Sequence, residues 1–208
     1  MRSFLLGVAS GVAFCLFCFA FWAIRPGSRE PQTPRAGIRD ALDEPPEIKA
    51  SPAPSAADYE VLGARQLAFP LESVDRGMLL DNFDESRGSL RHEALDIVAP
   101  RGTPVVAVDD GTARKLFTSV RGGLTVYQFD PDENYCYYYA HLDRYAEGLA
   151  EGRQLRKGER VGYVGTTGNA PPQTPHLHFT IFKLGPDKRW WEGVPLNPYP
   201  LWTAALPR

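Results

Sequence analysis

Four histidines and one aspartate carry the chemistry open to this sequence. They are His92 and Asp96 in His92-Glu93-Ala94-Leu95-Asp96, His141 in Tyr139-Ala140-His141-Leu142, and His176 and His178 in Pro175-His176-Leu177-His178-Phe179. The chain has 4 histidines in all, so none lies outside these segments. Alternate side chains of an extended segment share a face, so His176 and His178 project to one side and Leu177 to the other. His92 and Asp96 are four apart, a separation that brings side chains together on a helix or across a bend but is long for a straight strand at ~3.3 Å per residue. The run from Ile97 to Ala107, with Pro100, Gly102 and Pro104, favours extended backbone and turns, so a bend is expected. A mixed imidazole and carboxylate set suits Zn²⁺, which in catalytic sites takes three protein ligands and keeps a fourth position for water. Five candidates exceed three, and hydrolysis uses the surplus: groups beside the metal that move protons and stabilise a developing oxyanion.

In Tyr135-Cys136-Tyr137-Tyr138-Tyr139-Ala140-His141 the two-residue period puts Tyr135, Tyr137, Tyr139 and His141 on one face and Cys136 on the other. His141 can then join the site and Cys136 cannot. That facing, and the lack of a helix N-terminus to lower the thiol pKa, count against a cysteine peptidase. The three tyrosines either line a groove beside His141 or pack as core, and Trp190 and Trp191 are open to the same two readings. Taking His92-Glu93 with Asp96 as a variant of the helical H-E-x-x-H zinc motif requires a long amphipathic helix that this stretch does not supply.

The elements that must position these groups read as strands. After residue 57, short β-branched and aromatic runs alternate with Gly, Pro and Asp, as in an all-β domain rather than in βαβ units. Strands are expected over Pro104–Val108, Thr112–Phe117, Leu124–Phe129, Cys136–His141, Arg160–Val164 and His178–Phe182. Turns are expected at Asp109-Asp110-Gly111, Gly122-Gly123, Asp130-Pro131-Asp132, Lys157-Gly158 and Thr167-Gly168. Tyr145–Ala150 alone suggests a helical turn.

At 208 residues, with 23 Lys plus Arg against 25 Asp plus Glu, the chain has room for one ordinary domain with appendages and lacks the basic footprint of a nucleic-acid binder. From Phe4 to Ile24 no residue is charged, and a helix of that length covers ~30 Å, the thickness of a bilayer's hydrocarbon core. Residues 1–25 are therefore expected to be a transmembrane anchor. A cleaved signal peptide is the competing reading, but the apolar run continues through Phe21 and Trp22, past the poor cleavage site at Cys18-Phe19-Ala20. Gly7 and Gly11 match a weak helix-dimerisation face. Residues 26–57, with seven prolines among charged and small residues, read as a linker, leaving 58–208 as the folded domain.

The ordered motifs resemble those of the lysostaphin-type, or LytM-like, zinc endopeptidases that cut peptide cross-links in bacterial peptidoglycan. The resemblance covers about residues 68–200: the HxxxD segment, Gly102-Thr103-Pro104-Val105 with Ala107 and Asp110-Gly111, Tyr139-Ala140-His141-Leu142, and Gly162-Tyr163-Val164-Gly165 through Gly168 into Pro175-His176-Leu177-His178-Phe179. It implies a single antiparallel, mainly β domain of two sheets with a substrate groove. It also implies His92, Asp96 and His178 as Zn²⁺ ligands, with His141 and His176 as catalytic groups flanking the water and the scissile carbonyl. Ala94 departs from the family's usual Gly, and since Ala resists positive φ the bend between His92 and Asp96 is expected to differ slightly. A non-catalytic module that binds the wall or activates another wall hydrolase is the competing function. Such relatives are expected to lack some of the five groups, all of which are filled here. The peptidoglycan substrate places the domain outside the cytoplasmic membrane, on the periplasmic side. Counting Arg25, Arg29 and Arg35 after the apolar segment against Arg2 before it points the other way, and is set aside on that ground.

Overall fold

The computed structural model describes residues 54–72 and 74–203. The apolar segment 4–24, its Gly7 and Gly11, and the expected linker as far as residue 53 lie outside them. Among the described residues no helix is long and apolar enough to cross a membrane.

The described chain runs through helix α1 (Ala56–Ala64), a 3₁₀ turn (Arg76–Met78) and strands β1 (Ser86–Arg87), β2 (Leu90–Arg91), β3 (Leu95–Val98), β4 (Pro104–Val106), β5 (Gly111–Ser119) and β6 (Gly123–Phe129). It continues through β7 (Tyr135–Tyr145), β8 (Gln154–Leu155), β9 (Arg160–Val164), β10 (His176–Leu184), β11 (Gly193–Leu196) and a short helix α2 (Tyr199–Thr203). The expected antiparallel, mainly β architecture is what forms. Nine strands make one sheet and β1 and β2 make a separate hairpin, in place of two comparable sheets. Each of the six expected strands is present, four of them longer than the local pattern indicated. Tyr145–Ala150 closes as a turn, Leu149 N–H donating to the Ala146 carbonyl at 3.1 Å, in place of the expected helical turn.

Two long strands organise the sheet. β10 pairs with β3 through His176–Phe179 and with β11 through Ile181–Leu184 along one edge, and with β7 along the other. β7 continues past β10 and β6 to pair with β9, which carries β4. The main core lies on the face that collects Leu95, Ile97, Tyr137, Tyr139, Leu177, Phe179 and Ile181, covered by Leu62 of α1 and Trp202 of α2. A smaller cluster on the opposite face joins Tyr127, Phe129, Cys136 and Leu184 with Phe117, Tyr138, Phe182 and Trp190.

Helix α1 begins two residues before the expected domain start and is held by side chains rather than by an apolar stripe. Asp58 accepts the Ser55 backbone N–H at 2.9 Å, a carboxylate capping the first turn. It also accepts the Tyr135 hydroxyl at 2.9 Å and lies 2.7 Å from Lys183 Nζ. Just past the helix, Arg65 donates to Asp109, Asp130 and Asp132 at 3.1, 2.9 and 2.7 Å. These partners keep Asp58 ionised: burial pushes its carboxyl upward, but Lys183, Ser55 and Tyr135 together carry it well below the usual carboxylate range.

Candidate metal centre and active site

Antiparallel pairing sets His178 directly opposite Asp96 in the β10–β3 register. Residues facing each other across such a pair have Cβ atoms ~5 Å apart, close enough for their side chains to meet at one point. His92 reaches the same point over a bend at Glu93, whose φ is 55°. The bend expected between His92 and Asp96 is therefore present, but its positive φ falls on Glu93. Ala94 lies outside the left-handed region and is buried, so its departure from glycine imposes no strain there. His92 Nε2 is 2.9 Å from Asp96 Oδ1 and 3.1 Å from His178 Nδ1, and the latter is 3.0 Å from Asp96 Oδ1. Two ligand atoms each ~2.0–2.1 Å from a tetrahedral zinc stand about 3.4 Å apart, so this triangle is close to one face of a zinc polyhedron. The donor set and its spacing are compatible with a metal site.

The segment before these residues holds His92 and Asp96 in place. His92 Nδ1–H donates to the Asn82 carbonyl at 2.9 Å, which leaves the Nε2 lone pair facing inward. The Asn82 side chain also accepts the Asp96 backbone N–H at 3.2 Å. Glu85 and Phe83 carbonyls accept the N–H groups of His92 and Glu93 at 2.9 and 2.8 Å. Burial alone would raise the Asp96 carboxyl. Its hydrogen bonds with His178 and His92 outweigh this and hold it far below the usual range, so it is an anionic donor. Burial lowers the His178 imidazole below its ordinary value, favouring the neutral ring that a metal needs.

His141 and His176 stand beside this triangle, with ring centroids 4.9 Å apart and His141 5.4 Å from His178. Each donates its Nδ1–H to a backbone carbonyl, His141 to Thr167 at 2.8 Å and His176 to Thr174 at 2.9 Å. With Nδ1–H so committed, Nε2 is the atom of each ring that can exchange a proton, and that of His176 is 3.6 Å from Asp96 Oδ1. Burial, reinforced by neighbouring His178, lowers His141 to about 4, so the ring is an unprotonated acceptor at neutral pH. All five candidates therefore meet at one place.

The face assignment of β7 needs correction. Tyr135, Tyr137 and Tyr139 do not share a face with His141 and do not line a groove. They belong to the main core, their hydroxyls donating to Asp58, Asp109 and Gln128. Between Tyr139 and Leu142 the register against β6 shifts, and His141 adopts φ 59°. A bulge inserts one residue into the alternation and turns His141 to the other face. There Tyr138, with its ring 6.1 Å from that of His178, is the tyrosine beside the site. The turn is secured by Thr167, whose hydroxyl donates to the Leu142 carbonyl at 2.7 Å and accepts the Leu124 N–H at 2.9 Å. Gly123, at φ 63°, makes this approach possible, because a Cβ there would collide with Thr167 Oγ1. Cys136 is fully buried and its thiol is raised by burial, as expected of a packing residue. Trp190 packs on Phe117 and Tyr127, while Trp191 is partly exposed. Asn82 and Thr167 carry no signature in the sequence, since each acts on the site through backbone or through a contact set by tertiary folding.

A model described as Peptidase family M23 matches residues 90–198. An L-Ala--D-Glu endopeptidase of Bacillus subtilis is 32% identical over 114 residues, 52% of this chain and 33% of that protein. The murein hydrolase activator NlpD of Salmonella dublin is 27% identical over 105 residues, 50% of this chain and 26% of its own. The matched region is thus a third or less of either relative. The solved structure of a Pseudomonas aeruginosa protein ascribed to peptidase M23 matches with a TM-score of 0.50 at 18% identity, covering 82% of this chain and 60% of that one, a likeness of fold alone.

Proposed function

The chain belongs to peptidase family M23, which bears out the resemblance read from its motifs, and from that premise we propose that it is a zinc-dependent endopeptidase hydrolysing peptide cross-links of bacterial peptidoglycan. The observation that carries the proposal is the completeness of the site. Three donor atoms converge at 2.9–3.1 Å, and two imidazoles, each with Nδ1 held on a backbone carbonyl, stand beside them.

In this reading His92, Asp96 and His178 hold Zn²⁺. Bound there, the ion supplies Lewis acidity toward the scissile carbonyl and lowers the pKa of a water in the remaining position. His141 Nε2 accepts a proton from the attacking water and returns it to the leaving amine, a role open to a ring that is unprotonated at neutral pH and held in one tautomer by Thr167. His176 can stabilise the carbonyl oxygen as negative charge develops only in its protonated form, with Nδ1–H on the Thr174 carbonyl and Nε2–H as the donor. Overall one C–N bond and one O–H bond of water break, and an acid and an amine form.

The similarity to a murein hydrolase activator supports a second reading, a non-catalytic module that binds the wall or activates another hydrolase. The filled set of five groups favours the enzyme. We further propose that residues 4–24 anchor the protein in the cytoplasmic membrane with the folded domain outside it, where the substrate lies. Activity of a periplasm-only reporter fused at residue 57 supports that topology, and activity of a cytoplasm-only reporter contradicts it. Mass spectrometry of fragments released from purified peptidoglycan tests the reaction. The enzyme yields muropeptides with newly freed amino and carboxyl ends, whereas fragments cut only in the glycan contradict the proposal.

A further inference from the structure

Hairpin β1–β2 brings a cation against the candidate metal centre. Arg87 Nη2 lies 2.8 Å from Asp96 Oδ2 and 2.7 Å from Glu85 Oε2. The other oxygen of Asp96, Oδ1, is the one that faces His92 Nε2 and His178 Nδ1. One carboxylate is therefore divided between two tasks. A carboxylate can ligate through one oxygen or through both, and a catalytic zinc site needs a position left for water. A charge-assisted hydrogen bond to Oδ2 competes with its use as a second ligand atom. Glu85 holds the same guanidinium nitrogen from its other side and offsets its charge, while its carbonyl accepts the His92 N–H. The strap that carries Arg87 is thus tied to the ligand segment it serves. The Arg87 side chain is 48% exposed, so core packing does not account for its placement.

We propose that Arg87 is a positioning residue that keeps Asp96 a one-oxygen ligand and so holds the metal at four ligands, the water included. This rests on the metal-centre reading above. The test loads the full chain with Co²⁺, whose visible absorption is intense in four-coordinate and weak in five-coordinate sites. Wild type, Arg87→Met, Arg87→Lys and, as a control, His92→Ala are compared. Wild type and Arg87→Lys, which retains a donor for Oδ2, are expected to show the intense band. Arg87→Met is expected to bind Co²⁺ at least as tightly as wild type, to lose the intense band, and to lose turnover of peptidoglycan by ~10–100-fold. An Arg87→Met spectrum identical to wild type overturns the proposal. Loss of Co²⁺ binding in a folded Arg87→Met overturns it too, because Arg87 would then hold the site together rather than set its denticity. A wild type that takes up no Co²⁺, or a His92→Ala variant that binds it as wild type does, overturns the metal-centre reading itself.

Discussion

At the scale of single residues, His141 and His92 are the same side chain held in different ways, and the proposed division of roles between them rests on the backbone around each. His92 sits behind a left-handed Glu93 with its Nδ1–H on Asn82, and His141 is itself left-handed with its Nδ1–H on Thr167. His92→Ala should therefore abolish metal binding, whereas His141→Asn should keep the metal and lower turnover by ~10²–10⁴-fold, the range of general acid–base catalysis. Metal content by elemental analysis, set beside peptidoglycan turnover, checks both. His141 also links pH to stability in the metal-free protein. Above its unfolded-state pKa of ~6.5 the ring is neutral in both states and contributes nothing. As pH falls toward about 4, the unfolded chain takes up a proton that the buried ring refuses, so stability declines through that window. Urea titrations in a chelator should show this decline in wild type and a smaller one in His141→Asn. That the five groups share one place was legible from residue type and spacing. The handedness at His141 was not, because it depends on a bulge against β6 and on contacts from Thr167 far along the chain.

At the scale of elements, the strands with strong local patterns could be read directly, and those defined by their partners could not. β3 and β11 are four residues each and exist as edge partners of β10, a non-local condition that no local period encodes. Helix α1 lacks an apolar stripe, and its available signal was the Ser55 to Asp58 spacing of a capping box, which lay at the edge of the presumed linker. Its docking through Asp58 makes a sharp prediction. Asp58→Ala leaves the Tyr135 hydroxyl without its acceptor and Lys183 without its partner, and should cost about 1–3 kcal/mol, mostly from the unsatisfied buried hydroxyl because the Lys183 side chain is 45% exposed. Thermal or urea unfolding checks the loss. Asp58→Asn, which keeps a hydrogen-bonding carbonyl, should recover part of it. The β7 tyrosines teach the complementary lesson: period-two reasoning placed Cys136 correctly opposite Tyr135, Tyr137 and Tyr139, and failed at the one residue where a bulge resets the count.

At the scale of the whole molecule, the sheet gathers the candidate ligands and proton carriers from segments more than 80 residues apart in sequence, as in the His92 to His178 contact. Long-range strand pairing, rather than any local motif, therefore brings the five groups together. The antiparallel β class was legible in the alternation of short runs and turn residues, and the partition into one nine-stranded sheet and a separate hairpin was not, because it follows from which edges β10 and β7 leave free. The central claim is that these five residues form one hydrolytic metal centre acting on peptidoglycan. It is tested most directly by measuring soluble muropeptides released from purified peptidoglycan by the full chain, with and without a zinc chelator and after zinc is restored. The predicted result is release that the chelator abolishes and zinc recovers. Release that persists undiminished in the chelator, or no release in the presence of zinc, would contradict the account.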